Sequence, residues 1–266
     1  MDTVGRGLAP AANSIDTVRH GGSKPPPYKC TKHTLPYRIT IINAATCGKE
    51  KPLNTVRIFF SKTGDVRFIS HLDVNRVMQR VIRRAKIPVW NTEGFNPHPY
   101  IVFALPTSLG FESLYEVMDI RLEAEADYAE LKARLNEHLP HGFEVWDVAG
   151  AKLAYKDIAS AVYEVTFDRG SVSPVDWRRF CAQDEITAEK KGKKGARTID
   201  IKPYALSAAV TDKNPLKLSF TLPATQEANI NPSLIVDAFI RFMDVTNLCV
   251  NILKRSLLTA DGEPFR

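Results

Sequence analysis

The four cysteines of this 266-residue chain, Cys30, Cys47, Cys181 and Cys249, stand too far apart to form a C-x-x-C pair. Zinc knuckles and dithiol redox sites need that spacing, so neither is expected. The C-x-x-x-C-x-x-C pattern that holds a radical-SAM iron–sulfur cluster is also missing. No stretch approaches the roughly 18 uninterrupted apolar residues of a membrane span. The N-terminus lacks the compact apolar core of a secretory signal, so the expected location is the cytoplasm, away from membranes. Lys62-Thr63-Gly64 lacks the glycines and lysine spacing of a phosphate loop.

What is present is ordinary for a globular protein: 44% hydrophobic and 25% charged residues, with a formal net charge of +6. A sequence pI near 9.1 permits nucleic-acid binding without requiring it. The length suits one large domain or two of usual size. The first 55 residues differ from the rest. Gly21-Gly22, Pro25-Pro26-Pro27 and scattered polar residues show no sustained periodicity, which predicts a disordered or poorly ordered extension. Only Tyr37 to Ile42 reads as a strand. A sharper expectation is that the functional protein begins near Val56, the earlier residues reflecting an over-long gene start.

From Val56 the text is regular. Val56 to Phe60 is a strand and Ser61 to Asp65 a turn. Ser70 and Asp73 make a capping-box-like start to a helix. Val74, Val77, Met78, Val81, Ile82 and Ala85 recur at helical spacing until Pro88. Val89 to Asn91, Tyr100 to Leu105 and Tyr115 to Leu122 are strand-like, Asp127 to Leu139 is a second amphipathic helix, and Phe143 to Val148 is a closing strand. This β-α-β-β-α-β order over residues 56–150 is the ferredoxin-like arrangement.

A second such half is expected over residues 159–258, followed by a tail at 259–266. Its elements are Ala161 to Phe167, a helix capped by Ser173 with Trp177 and Phe180 inward, and strands at Glu185 to Lys191 and Thr198 to Ile201. Leu216 to Leu222, a helix from Pro232 to Met243 capped by Asn231, and Val250 to Leu257 complete it. Lys190 to Arg197 reads as a basic hairpin tip, and Tyr204 to Asp212 fits no element. The expected class is α+β, two ferredoxin-like halves in tandem.

Chemistry concentrates between Ser61 and Pro106. Arg76, Arg80, Arg83 and Arg84 stack along one side of the first helix, flanked in sequence by Lys62 and Arg67. Arginine suits forked hydrogen bonding to phosphate, so these six residues are the candidate phosphate-binding set. The bland alternative is a solvated helix face, or neutralisation by Glu112, Glu116, Asp119, Glu123 and Glu125. His71, Asp73 and His98 are catalytic candidates if the fold brings them together. Otherwise the first two are helix-terminus residues, and Asn96 and His98 pin their loop. Glu93, Gly94, Phe95, Asn96 and His98 form that Pro-flanked loop, and Phe95 and Tyr100 are positioned to stack on bases. No metal site is identifiable.

The words F-F-S-K-T-G-D-V-R-F-I-S-H-L-D (Phe59 to Asp73), R-x-x-x-R-x-x-R-R (Arg76 to Arg84), E-G-F-N-P-H-P (Glu93 to Pro99) and F-A-L-P-T-S-L-G (Phe103 to Gly110) occur in order. With T-I-D-I-K-P (Thr198 to Pro203) and K-R-S-L (Lys254 to Leu257), the chain resembles the radical-SAM-linked protein family, a bacterial domain family of unknown function. Tyr100 departs from the basic residue its members usually carry there. The resemblance covers about Val56 to Leu258. It implies a radical-SAM protein as partner, which would hold the iron–sulfur cluster, S-adenosylmethionine and cobalamin absent from this chain.

Three readings follow. The first is an accessory domain that binds RNA or presents a substrate to that partner. The second is a protein-interaction scaffold. The third is a hydrolase or metal-dependent nuclease using His71, Asp73 and His98.

Overall fold

The structure is a computed structural model and describes residues 54–192, 195–225, 227–245 and 248–266. The extension at 1–53, with the strand expected at Tyr37 to Ile42, lies outside them. β1 (Asn54–Lys62) begins two residues before Val56 and is buried on both faces through its middle. Alternation therefore cannot be read along it.

α1 (His71–Arg84) starts where its cap predicts. The Ser70 Oγ accepts from the Asp73 N–H at 3.2 Å and donates to the Asp73 carboxylate at 2.8 Å. Val74, Met78, Val81 and Ile82 form its buried face. Each buries roughly 1.5–3 kcal/mol of apolar side chain. Its last carbonyls, on Ala85 and Lys86, accept from Arg134 of α2 (Tyr128–His138). That contact ties the two helices together at one end.

β3 (Glu112–Leu122) pairs antiparallel with β1, and β1 pairs antiparallel with β4 (Phe143–Gly150). β2 (Ile101–Ala104) lies on the other edge of β3. Val89 and Trp90 use the same edge, since Val89 bridges Leu122 and the Trp90 N–H donates to Arg121 at 2.8 Å. Val89 to Asn91 and Tyr100 to Leu105 are thus one edge line, interrupted by a hairpin. Within that hairpin Asn91 bridges Pro99, and the Thr92 N–H donates to His98.

The second part repeats much of this. β5 (Ser160–Phe167) leads to α3 (Pro174–Cys181), which Ser173 caps as expected, closing a capping box with Asp176. β6 (Thr187–Gly192) and β7 (Gly195–Asp200) pair only with each other, as a separate two-stranded sheet. The strands expected at 185–191 and 198–201 are therefore a hairpin outside the main sheet. Tyr204 to Asp212, which fitted no element, enters α4 (Lys202–Leu206) and β8 (Ala209–Lys213). β8 is an edge strand exposed at every residue, so it has no buried alternation to reveal it. It pairs with β9 (Leu216–Pro223), and α5 (Pro232–Met243) and β10 (Val250–Leu258) follow.

The class is mixed α+β. The eight-stranded sheet runs β4-β1-β3-β10-β5-β9-β8 with β2 also on β3, and is mostly antiparallel. The parallel contact falls at the seam, where Leu253 and Lys254 of β10 face Glu112 and Ser113 of β3. β10 and β2 thus occupy different lengths of one β3 edge. α1 and α2 cover Val56, Ile58, Phe60, Met118, Ile120 and Val145. In the other part Trp177 and Phe180 of α3 meet Phe239 of α5 at 5.1 and 5.3 Å between ring centroids. Residues 259–266, read as a tail, carry Phe265, which is fully buried and donates its N–H to Leu257.

Gly142 (φ +91°) precedes β4, and its carbonyl accepts from the Thr63 N–H at 2.9 Å. A Cβ there would lie 2.7 Å from the Thr63 carbonyl oxygen and 2.8 Å from a Val66 methyl. Gly170 also has positive φ but open space around it. Gly142→Ala is expected to destabilise by clearly more than Gly170→Ala, whose cost is the backbone strain alone, about 1 kcal/mol. Paired urea titrations check this, and equal midpoints would show that the close approach at Gly142 costs nothing.

Candidate functional site

Arg76, Arg80, Arg83 and Arg84 are all exposed on α1, as the spacing requires. Arg76 pairs with Asp73 at 2.9 Å, an exposed i,i+3 contact. Among the described residues Arg80, Arg83 and Arg84 have no carboxylate partner. Three of the five acids that might have neutralised them are used elsewhere: Asp119 by Arg57, Glu116 by Lys254, and Glu112 by the Gly64 N–H and Asn251. Arg80 and Arg84 also line a groove of about 340 Å³ with Val77 and the C-terminal turn of α2, Glu137 to Pro140.

The other two members of the phosphate set sit apart from this ridge. Arg67 is half-buried, with its guanidinium carbon 4.6 Å from the Phe68 ring centroid and a 3.3 Å hydrogen bond to Asn251. Lys62 is only 2% exposed. A strand-end lysine after Ser61 would ordinarily reach water. Here a register shift between Phe60 and Lys62 and the neighbouring β10 enclose it.

The hairpin carries Glu93, Gly94, Phe95, Asn96 and His98 at or near its tip, all exposed, with Phe95 fully so. The His98 ring nitrogen Nδ1 lies 3.1 Å from the Thr92 hydroxyl and 3.0 Å from the Asn96 carbonyl. At its base Arg121 stacks over Tyr100 at 4.3 Å and reaches Trp90 at 5.7 Å. Tyr100 is thus engaged within the fold.

His71, Asp73 and His98 share no hydrogen bond. His71 stands edge-on to Phe103 at 5.0 Å, and Asp73 is committed to Ser70 and Arg76. The Ser70 hydroxyl, then Arg76, hold the Asp73 carboxyl below its ordinary range. No group of His, Cys, Asp and Glu among the described residues is arranged to hold a metal ion. The geometry does not assemble the nuclease constellation.

A different constellation forms at the seam. Lys254, fully buried, forms an ion pair with Glu116 at 2.7 Å and donates to the Leu105 carbonyl at 2.8 Å. The Thr107 hydroxyl donates to the same Glu116 oxygen at 2.8 Å, and Asn231 at the α5 cap donates to Ser108 at 2.8 Å. Lys62 faces Ser113, Ser113 faces Lys254, and Lys254 faces Tyr163 in one row across four strands. Burial pushes the Lys62 amine below its usual range, against the pull of Glu116, and Lys254 pushes it the same way. Burial and the Glu116 charge push the Tyr163 phenol up. The sequence words around Lys62, Thr107 and Lys254 therefore meet in space. Glu116 and Lys254 are not among the candidate site residues read from sequence, where Glu116 stood as an acid that could neutralise the arginines and Lys254 as the start of the K-R-S-L word. Neither is the only charge in its strand, so no local signal set it apart.

Together these features define a mixed α+β protein on a large, mostly antiparallel sheet. No helix among the described residues is long and apolar enough to cross a membrane. Residues 55–232 match the family described as "uncharacterized protein conserved in bacteria (DUF2344)", and the chain belongs to that family. β10, which supplies Lys254, lies beyond the matched segment. No curated protein matches the chain.

Proposed function

We propose that this chain is a cytoplasmic accessory protein that holds RNA by its phosphates and presents it to a radical-SAM partner. The observation carrying the RNA reading is that Arg80, Arg83 and Arg84 are exposed along one helix without acid partners among the described residues. Forked donors free of internal pairs are available to phosphate at little desolvation cost. The partner rests on the resemblance drawn from the sequence words, and the cluster, S-adenosylmethionine and cobalamin belong to that partner on this reading. We further read the sheet as two ferredoxin-like halves. The orders β4-β1-β3-β2 and β10-β5-β9-β8 support this, with β6, β7 and α4 as an insertion in the second half.

Fluorescence anisotropy with single-stranded RNA, repeated across salt concentrations, tests the RNA reading. Wild-type affinity is expected to fall steeply with salt. Arg80→Glu with Arg84→Glu should weaken binding more than tenfold and flatten the log–log salt slope by ~0.7 for each phosphate no longer neutralised. Both side chains are exposed, so stability should stay within about 0.5 kcal/mol. Binding that ignores salt, or survives the double reversal, would remove the proposal.

The scaffold reading has its own observation. Phe68, Leu72 and Leu109 are exposed, and the Gly110 N–H donating to Arg67 at 2.8 Å brings their segments together. Co-purification of a radical-SAM protein free of nucleic acid would favour it.

A further inference from the structure

Charge at the seam does not balance. Lys62 and Lys254 bring two cations to a place where Glu116 is the carboxylate in contact, and Glu116 already pairs with Lys254 and accepts from Thr107. Lys62 has neither an ion-pair nor a hydrogen-bond partner among the described residues, although it is only 2% exposed. Its amine is nonetheless open to solvent. Among described side-chain nitrogens and oxygens sealed from solvent, only Arg57 Nη1 lacks a partner. The Tyr163 hydroxyl is in the same condition, partnerless in a residue only 8% exposed. The strand register sets Lys62 and Tyr163 in one row, with Ser113 and Lys254, the ion-pair partner of Glu116, between them.

An ammonium on a side chain this enclosed, reached by solvent but with no counter-charge of its own, is stabilised by losing its proton or by gaining an anion. Lys62 offers donors alone, and Tyr163, whose phenol stays protonated, offers a donor beside its accepting oxygen. An apolar or cationic group would leave these donors unmet. An oxyanion would accept from them and balance the charge.

We propose that the seam binds one oxyanion group, a phosphate or carboxylate of a small ligand, through Lys62 Nζ with Tyr163 as a second donor. This site lies apart from the α1 arginines, so it stands or falls independently of RNA binding.

The test uses the full chain with inorganic phosphate or acetate, each against chloride at equal ionic strength. Lysines are briefly acylated with a small amine-reactive ester and located by peptide mass spectrometry. At ten times the dissociation constant, the anion should slow Lys62 acylation about tenfold. The exposed Lys156 and Lys213 should be unaffected. Protection by phosphate alone assigns a phosphate ligand, and protection by acetate alone a carboxylate. Either anion should also raise the melting temperature of wild type and of Arg80→Glu/Arg84→Glu, but not of Lys62→Met. Equal acylation in all three salts overturns the proposal on wild type alone, whatever the folding of the variant. An unchanged thermal response in Lys62→Met overturns it as well.

Discussion

Arg57→Met is expected to lower stability by about 3–5 kcal/mol, read as a shifted urea midpoint with unchanged slope. Arg57 is 1% exposed and grips Asp119 with two parallel bonds of 2.9 Å, while Nη2 also donates to Leu153 at 2.8 Å. The guanidinium lies between aromatic rings, 5.2 Å from the Tyr155 centroid and 4.4 Å from that of Phe265. Methionine fills much of the stem volume but leaves Asp119 without its cation. Asp119 is only 9% exposed, so the loss is chiefly that of an unpaired buried charge. Adding Asp119→Leu should recover much of the deficit, because replacing both partners removes the stranded charge. A single variant as stable as wild type would show that the pair does not clamp Tyr155 and Phe265 onto the sheet.

Lys254→Met should also be strongly destabilising, toward the lower end of about 3–5 kcal/mol. Lys62 stands beside the same Glu116 and can take over part of the compensation. Lys62→Met alone should be nearly neutral, since it removes an unmatched cation. The double variant should therefore lose more than the two singles combined, with a coupling of about 0.5–3 kcal/mol. Strict additivity would argue that the two lysines do not share Glu116. pH provides a second reading. The Lys62 amine titrates below its ordinary 10.5 in the folded state, so the unfolded chain holds that proton to higher pH. Its contribution therefore rises with pH between the folded value and 10.5, and Lys62→Met should flatten that rise.

Much of the first part was legible. α1 announces itself through Ser70, Asp73 and apolar residues at helical spacing, all local signals, and the four arginines then follow geometrically onto the opposite face. The hairpin was half legible: Gly94 and the prolines mark a turn. Nothing local shows that the segments before and after it share one edge of β3. The second part was harder because β8 carries no buried face, while β6 and β7 look like sheet strands yet pair only together. Pairing partners, and not propensity, decide such cases.

The seam shows the same limit at the level of chemistry. Neither Lys254 in Val250–Leu258 nor Glu116 in Glu112–Leu122 is the only charge in its strand, and their pairing spans well over a hundred residues. Likewise, the candidate set of His71, Asp73 and His98 came from residue type and from a topology able to bring a helix start close to a strand-connecting loop. Each imidazole found a local partner, Phe103 for His71 and Thr92 with Asn96 for His98.

Sequence alone determined what short-range physics controls: the capped helices, most strand segments, the Pro-flanked hairpin loop and the cationic face of α1. Only the tertiary structure decided that β10 docks beside β3, because strand partners are chosen by burial over the whole chain. That docking turned Lys62 from an expected surface cation into an enclosed amine. Whether a charge meets water, a counter-ion or nothing depends on neighbours that no local pattern records.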